Sequence, residues 1–202
     1  MKILETKTAP NARRVRMFLA EKGVDIEYIQ VDITQGENLS PDFRSKNPWG
    51  KVPVLELGDG TCIAESIAIC RYFEETVPEP PLMGRDPLER AQIEMWQRRM
   101  EFSLMLSVGM AFQHLSGFFK DRMTPVKEWG EINKEAVSKL LAQLDHHLAS
   151  STYIAGEQFS VADITALCAI DFARVIDVRP TPEQTHLTRW HQQVSSRPSA
   201  KA

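Results

Sequence analysis

The sequence predicts an α/β domain followed by an all-α domain. Three observations predict it. Short apolar runs alternate with helical patterning over the first half, and a tight hairpin near residue 60 leads straight into a helix. After Pro78-Glu79-Pro80-Pro81 every apolar repeat is helical. Proline cannot continue a helix, so this run reads as a stiff linker. The domains are placed at 1–77 and 87–202, with the linker at 78–86. The 202 residues suffice for a substantial core.

Ile3-Leu4 begins a short strand that breaks at Thr6-Lys7-Thr8-Ala9-Pro10-Asn11. From Ala12 the pattern is helical, with Val15, Phe18 and Leu19 on one face and Gly23 as the stop. Ile26, Tyr28 and Ile29-Gln30-Val31 give a second strand parallel to the first, completing a βαβ unit. Asp32 to Asn47 is polar, with a weak helical stretch around Phe43. Val54-Leu55-Glu56-Leu57, Gly58-Asp59-Gly60 and Thr61-Cys62-Ile63 make a tight hairpin. A helix from Glu65 to about Glu75 closes the domain.

In the second half a long helix runs from about Pro87, with Ile93, Trp96, Met100 and Leu104 repeating every three or four residues. Another covers Val126 to Leu148, its inner face assigned to Ile132, Ala136, Leu140, Leu141 and Leu144. Ser160-Val161-Ala162-Asp163 reads as a capping box, with Phe159 and Ile164 placed for a hydrophobic staple. Leu187, Trp190 and Val194 mark a last short helix, ended by Arg197-Pro198.

Acids and bases are interspersed and the net charge is -3, which gives no nucleic-acid footprint. The amino terminus lacks the apolar run of a signal peptide and no segment approaches a membrane span, so a cytoplasmic protein is expected. The three cysteines, at 62, 70 and 168, form no CxxC and no metal spacing; they read as reduced packing residues.

The chemistry concentrates at Glu65-Ser66, where a helix begins. Unpaired N–H groups at a helix start attract a carboxylate. Ser66 adds a hydroxyl donor and Glu65 a partner for an ammonium group. Together they suit the zwitterionic head of an amino acid. Upstream, Pro53 opens an apolar strand, where its missing N–H is harmless. A cis bond before it would turn the Val52 backbone outward to pair with peptide groups. The combination describes a site for a small peptide such as glutathione. Ser66 has a plainer alternative reading as a helix cap, and Lys51 as a solvated turn residue.

These residues carry a resemblance. The stretch from Ala9-Pro10-Asn11-Ala12-Arg13-Arg14 through Gly23, the stretch Asn47-Pro48-Trp49-Gly50-Lys51-Val52-Pro53-Val54-Leu55, Glu65-Ser66 and the Ser160–Asp163 helix start are together similar to the soluble glutathione S-transferases. The likeness covers nearly the whole chain. It implies a thioredoxin-like first domain, an all-helical second domain and a homodimer. It implies detoxification chemistry, with reduced glutathione as cosubstrate and neither cofactor nor metal. Glu65 and Ser66 would hold the γ-glutamyl head, Val52 before cis-Pro53 the cysteinyl part, and Lys51 the glycine carboxylate.

Such catalysis needs the sulfur as thiolate, and one hydrogen bond to the charged sulfur lowers a thiol pKa sufficiently. In this family the donor follows the first strand. No tyrosine precedes Tyr28 and no cysteine precedes Cys62, which leaves Thr8 and Asn11, with Thr8 preferred. Each has a structural alternative, Asn11 as the N-cap of its helix and Thr8 as a turn residue. Of the cluster Arg13, Arg14 and Arg16, which point in different directions along a helix, at most one could approach the glutathione pocket; the preferred reading is a solvated face with intersubunit ion pairs.

An apolar electrophile is expected between the domains, near Met100, Ser103 and Leu104, although such a stripe is ordinarily core. Phe112, Phe118 and Phe119 are candidates to cover it. Trp96 and Gln97-Arg98-Arg99 would face a partner subunit or solvent. The leading function is conjugation of glutathione to apolar electrophiles. The alternatives are glutathione-dependent reduction of disulfides or peroxides, and glutathione binding without turnover.

Overall fold

The computed structural model describes residues 1–202. The chain divides into two compact units: Met1–Pro81 with Pro198–Ala202, and Leu82–Arg197. This differs from the expected division in two places. Leu82 and Met83 are buried, and the Leu82 carbonyl accepts from the Val161 N–H, so the helical unit starts inside the anticipated linker. The last five residues return to the first unit, where Arg13 donates to the Ala200 carbonyl and Ser199 to Glu21.

The first unit runs β1 (Lys2–Glu5), α1 (Pro10–Glu21), β2 (Glu27–Gln30), α2 (Pro41–Lys46), β3 (Val54–Glu56), β4 (Cys62–Ala64) and α3 (Ser66–Thr76). Its sheet has the order β2-β1-β3-β4. β1 and β2 are parallel, while β3 is antiparallel to both β1 and β4. Successive strand side chains point to opposite faces. Leu4 and Val54 join Val31 and the α2 residue Phe43 in one cluster. Ile3 and Leu55, wholly buried, belong to the other face, on which α3 packs alongside α1.

The second unit runs α4 (Pro87–Arg98), a π-helical turn (Arg99–Met105), α5 (Leu106–Leu115), α6 (Lys127–Leu148), α7 (Val161–Ala173) and α8 (Thr185–Ser195). The single long helix expected from Pro87 is thus interrupted by a π segment. Gln97, assigned to a partner face or solvent, is wholly buried and accepts from Thr165 at 2.8 Å. Trp96 is half-buried between the His147 ring, 4.1 Å away, and the Arg99 guanidinium.

On α6 the inner face is Gly130, Asn133, Val137, Leu141, Leu144 and Leu148; Ile132 and Ala136 point outward. Close approach to α5 sets this rotation. A Cβ added at Gly130 would lie 2.7 Å from Leu115. The α7 capping box forms as expected. Asp163, fully buried, accepts from the N–H groups of Ile154 and Ser160, the Ser160 hydroxyl and Trp190 Nε1. No helix is long and apolar enough to cross a membrane.

Candidate functional site

β4 feeds directly into α3, and the junction residue Glu65 has φ 68° and ψ 116°. A non-glycine residue there costs on the order of 1–3 kcal/mol and persists only where its surroundings impose it. Such strain concentrates at ligand clamps. No side chain caps α3, which leaves its first-turn N–H groups available to an anion. The Glu65 carboxylate is exposed and makes no ion pair. Ser66 is buried, and its Oγ accepts from Arg14 Nη2. A guanidinium only donates, so the Ser66 hydroxyl proton stays free for another acceptor.

The Val52–Pro53 bond is cis. β3 starts at Val54, and the Val52 N–H and C=O take part in no recorded backbone hydrogen bond. The Val52 side chain packs on the cluster of Leu4, Val31, Phe43 and Val54. Two buried asparagines brace the approach. Asn38 Nδ2 donates to the Gly50 carbonyl at 2.7 Å, and Asn47 Nδ2 to the Lys51 carbonyl at 2.8 Å. Gly50 has φ 60°, and a Cβ there would meet the Asn38 carbonyl at 2.9 Å, so only glycine fits. The result is a pinned strip with an open main-chain edge. Sequence reasoning missed Asn38 and Asn47; the signal for the latter was a turn asparagine four residues before the carbonyl it holds. The Lys51 ammonium is exposed and unpaired.

The β1–α1 loop and the first turn of α1 carry the thiol-activating candidates. Thr8 is exposed and its hydroxyl has no partner. Asn11 is not the N-cap: Ala9 holds that position, and Pro10 and Asn11 lie inside the first turn. Asn11 Oδ1 accepts from Arg14 Nη2 at 3.0 Å.

The basic cluster is not a solvated face. Arg14, Arg16 and Lys22 are buried at 3%, 7% and 6% exposure. α1 is covered on several sides, so its long cationic side chains find partners inside the fold. Arg16 Nη1 contacts both Glu5 oxygens at 2.7–2.8 Å, and Nη2 holds the Lys7 carbonyl at 2.7 Å. Gln30 completes the tether, donating to Glu5 and accepting from the Lys7 N–H. Burial, and then the Glu5 carboxylate, push the Tyr28 hydroxyl up to about 12. Lys22 binds the Pro78 and Pro80 carbonyls and Glu74.

Of the electrophile candidates, Met100 and Leu104 are core residues at 1% and 0% exposure and offer no surface to a ligand; Ser103 is exposed. Phe112, Phe118, Phe119 and Phe172 form a chain of ring contacts, with Phe118 reaching solvent. A cavity of about 380 Å³, lined by charged Lys127, Glu131, Lys134 and Asp177 and by apolar Leu115 and Ile176, contains none of the expected site residues. No group of three His, Cys, Asp or Glu side chains is placed to hold a metal ion.

Comparison with known proteins gives this constellation its context. Residues 8–76 match the glutathione S-transferase N-terminal domain family, and residues 110–198 the C-terminal domain family. Glutathione S-transferase 2 of Saccharomyces cerevisiae is 35% identical over 100% of this chain and 88% of its own length. A glutathione S-transferase domain-containing protein of Marinobacter aquaeolei superposes with a TM-score of 0.95 at 41% identity, covering 98% of this chain and 99% of the other. A class Gtt2 glutathione S-transferase of Vibrio parahaemolyticus superposes with a TM-score of 0.87 at 40% identity, covering 100% and 96%. The chain therefore belongs to the glutathione S-transferase family of enzymes and carries both of its domains.

Proposed function

We propose that the protein joins the thiolate of reduced glutathione to apolar electrophiles, with the tripeptide bound along the first unit. The observation that carries this reading is the uncapped α3 start. Strained Glu65, with its unpaired carboxylate, and Ser66, with its free hydroxyl proton, together form a receptor for the γ-glutamyl ammonium and carboxylate. The open Val52 edge then pairs with the cysteinyl main chain, and Lys51 neutralises the glycine carboxylate. Thr8 in the β1–α1 loop and Asn11 in the first turn of α1 stand where a sulfur donor is required. The electrophile binds on the helical unit. The enzyme works in the cytoplasm as a homodimer; exposed Trp49, Phe102 and Leu106 supply apolar surface for a second copy.

An assay with glutathione and an aromatic halide tests the reading, and conjugate formation is the expected result. Absence of conjugation, with glutathione-dependent reduction of a disulfide in its place, contradicts it. Ser66→Ala should raise the KM for glutathione about tenfold with little change in kcat, because a hydrogen bond to a charged group is worth roughly 1.5–3 kcal/mol. Asn47→Ala releases the Lys51 carbonyl and loosens the Val52 edge. A KM increase of about fivefold is expected, from a loss of about 1 kcal/mol.

A further inference from the structure

We infer that Arg14 is a positioning residue that orients the Asn11 amide toward the glutathione sulfur and the Ser66 hydroxyl toward the γ-glutamyl carboxylate. The inference rests on the glutathione reading above and names the residue that sets its two donors. One nitrogen, Arg14 Nη2, donates to both Asn11 Oδ1 and Ser66 Oγ, so these two side chains lie no more than two hydrogen-bond lengths apart. They come from different elements, α1 and the start of α3.

A guanidinium has five donors and no acceptor. Against it an asparagine can present only its oxygen, and a serine only a lone pair. Both remaining faces are then determined. Asn11 Nδ2 carries two protons with no partner in the protein, and the Ser66 hydroxyl carries one. Donors fixed before the ligand arrives need no reorganisation when charge appears, which is the main requirement for stabilising an anion. Thr8 differs in this respect. Its exposed hydroxyl rotates with nothing to set it. The geometry therefore selects Asn11 over Thr8, against the preference drawn from sequence. Burial at 3% exposure keeps Arg14 in place and away from competing water.

The test is the pKa of the bound thiol, read from the ultraviolet absorbance of the thiolate against pH in wild type, Asn11→Ala, Arg14→Met, Arg14→Lys and the Asn11→Ala/Arg14→Met double variant. Asn11→Ala and Arg14→Met should each raise it by about one unit, a tenfold loss of thiolate at a given pH below the pKa. The double variant should exceed neither, since Arg14 acts through Asn11. Arg14→Lys, also a pure donor, should recover most of the effect, which a purely volumetric role would not produce. Ser66→Ala should weaken glutathione binding about tenfold and leave the bound-thiol pKa unmoved.

An unchanged pKa in Arg14→Met overturns the inference, as do additive shifts in the double variant. A second readout uses the wild type, in case Arg14→Met does not fold. The Asn11 side-chain amide resonances, identified by their loss in Asn11→Ala, should move on glutathione binding and titrate with the thiol; if they stay still the inference falls. Calorimetry separates the two levels. Wild type that binds glutathione with a lowered thiol pKa while Arg14→Met behaves identically defeats only the role of Arg14. Wild type that shows no glutathione heat at millimolar concentration defeats the underlying reading as well.

Discussion

Glu5→Ala is expected to destabilise the protein by about 3–5 kcal/mol, because it strands the Arg16 guanidinium in the interior. Glu5 is 1% exposed, takes both of its Arg16 contacts at 2.7–2.8 Å, and also accepts from Gln30. Removing one partner of such a pair leaves a buried charge, whereas removing both is far milder. The double variant Glu5→Met/Arg16→Met should therefore regain much of the loss in urea unfolding. Function should not return with stability. Arg16 also holds the Lys7 carbonyl, and Gln30 the Lys7 N–H. Without that tether the loop that carries Thr8 and leads into the α1 turn bearing Asn11 is loosened. We expect the double variant to lose kcat at least tenfold while retaining glutathione affinity. A double variant with full kcat would show that the tether serves stability alone.

The second large effect belongs to Asp163→Ala in the helical unit. Four donors would lose their acceptor in the interior: the N–H groups of Ile154 and Ser160, the Ser160 hydroxyl and Trp190 Nε1. At roughly 1–3 kcal/mol each, a total of about 4 kcal/mol or more is expected, together with loss of the α7 cap. Burial pushes the Asp163 carboxyl up to about 6 from its ordinary 3.8, against the lowering effect of its hydrogen bonds.

The folded state thus holds this proton more tightly than the unfolded chain. Its stabilising contribution is complete below pH 3.8 and is lost as pH rises through 6. The shift corresponds to about 3 kcal/mol. Measured by urea unfolding, the stability advantage of wild type over Asp163→Asn should shrink by about that amount between pH 4 and pH 7, then stay constant. An advantage that grows with pH over this range would contradict the assignment.

Local signals made most of the fold legible. The short apolar runs Ile3-Leu4 and Val54-Leu55, the glycine stop at Gly23 and the Ser160–Asp163 box each depend on neighbouring residues alone, and each forms in the structure. The errors arise where distant elements decide. Ile132 and Ala136 fit an apolar helical stripe, but the small Gly130 lets α5 approach and rotates that stripe outward. Arg14 and Arg16 looked like surface cations because their partners lie 52 and 11 positions along the chain, at Ser66 and Glu5.

The candidate site divides in the same way. Glu65, Ser66 and Val52-Pro53 were visible because a helix start and a strand-opening proline have local signatures. Arg14, Asn38 and Asn47 were not, since each works by holding another segment. The Arg14 contact with Asn11, on which the inference favouring Asn11 over Thr8 rests, is one that no spacing reveals. Met100 and Leu104 followed the ordinary fate of a Met and Leu stripe and entered the core.

The central claim is that the γ-glutamyl end of glutathione docks at the start of α3. A crystal structure of the protein with reduced glutathione tests it most directly. The γ-glutamyl carboxylate should lie within hydrogen-bond distance of Ser66 Oγ and the first N–H groups of α3, its ammonium beside Glu65, and the cysteinyl main chain along Val52. A tripeptide bound elsewhere, or a Ser66 hydroxyl turned away from it, would contradict the account.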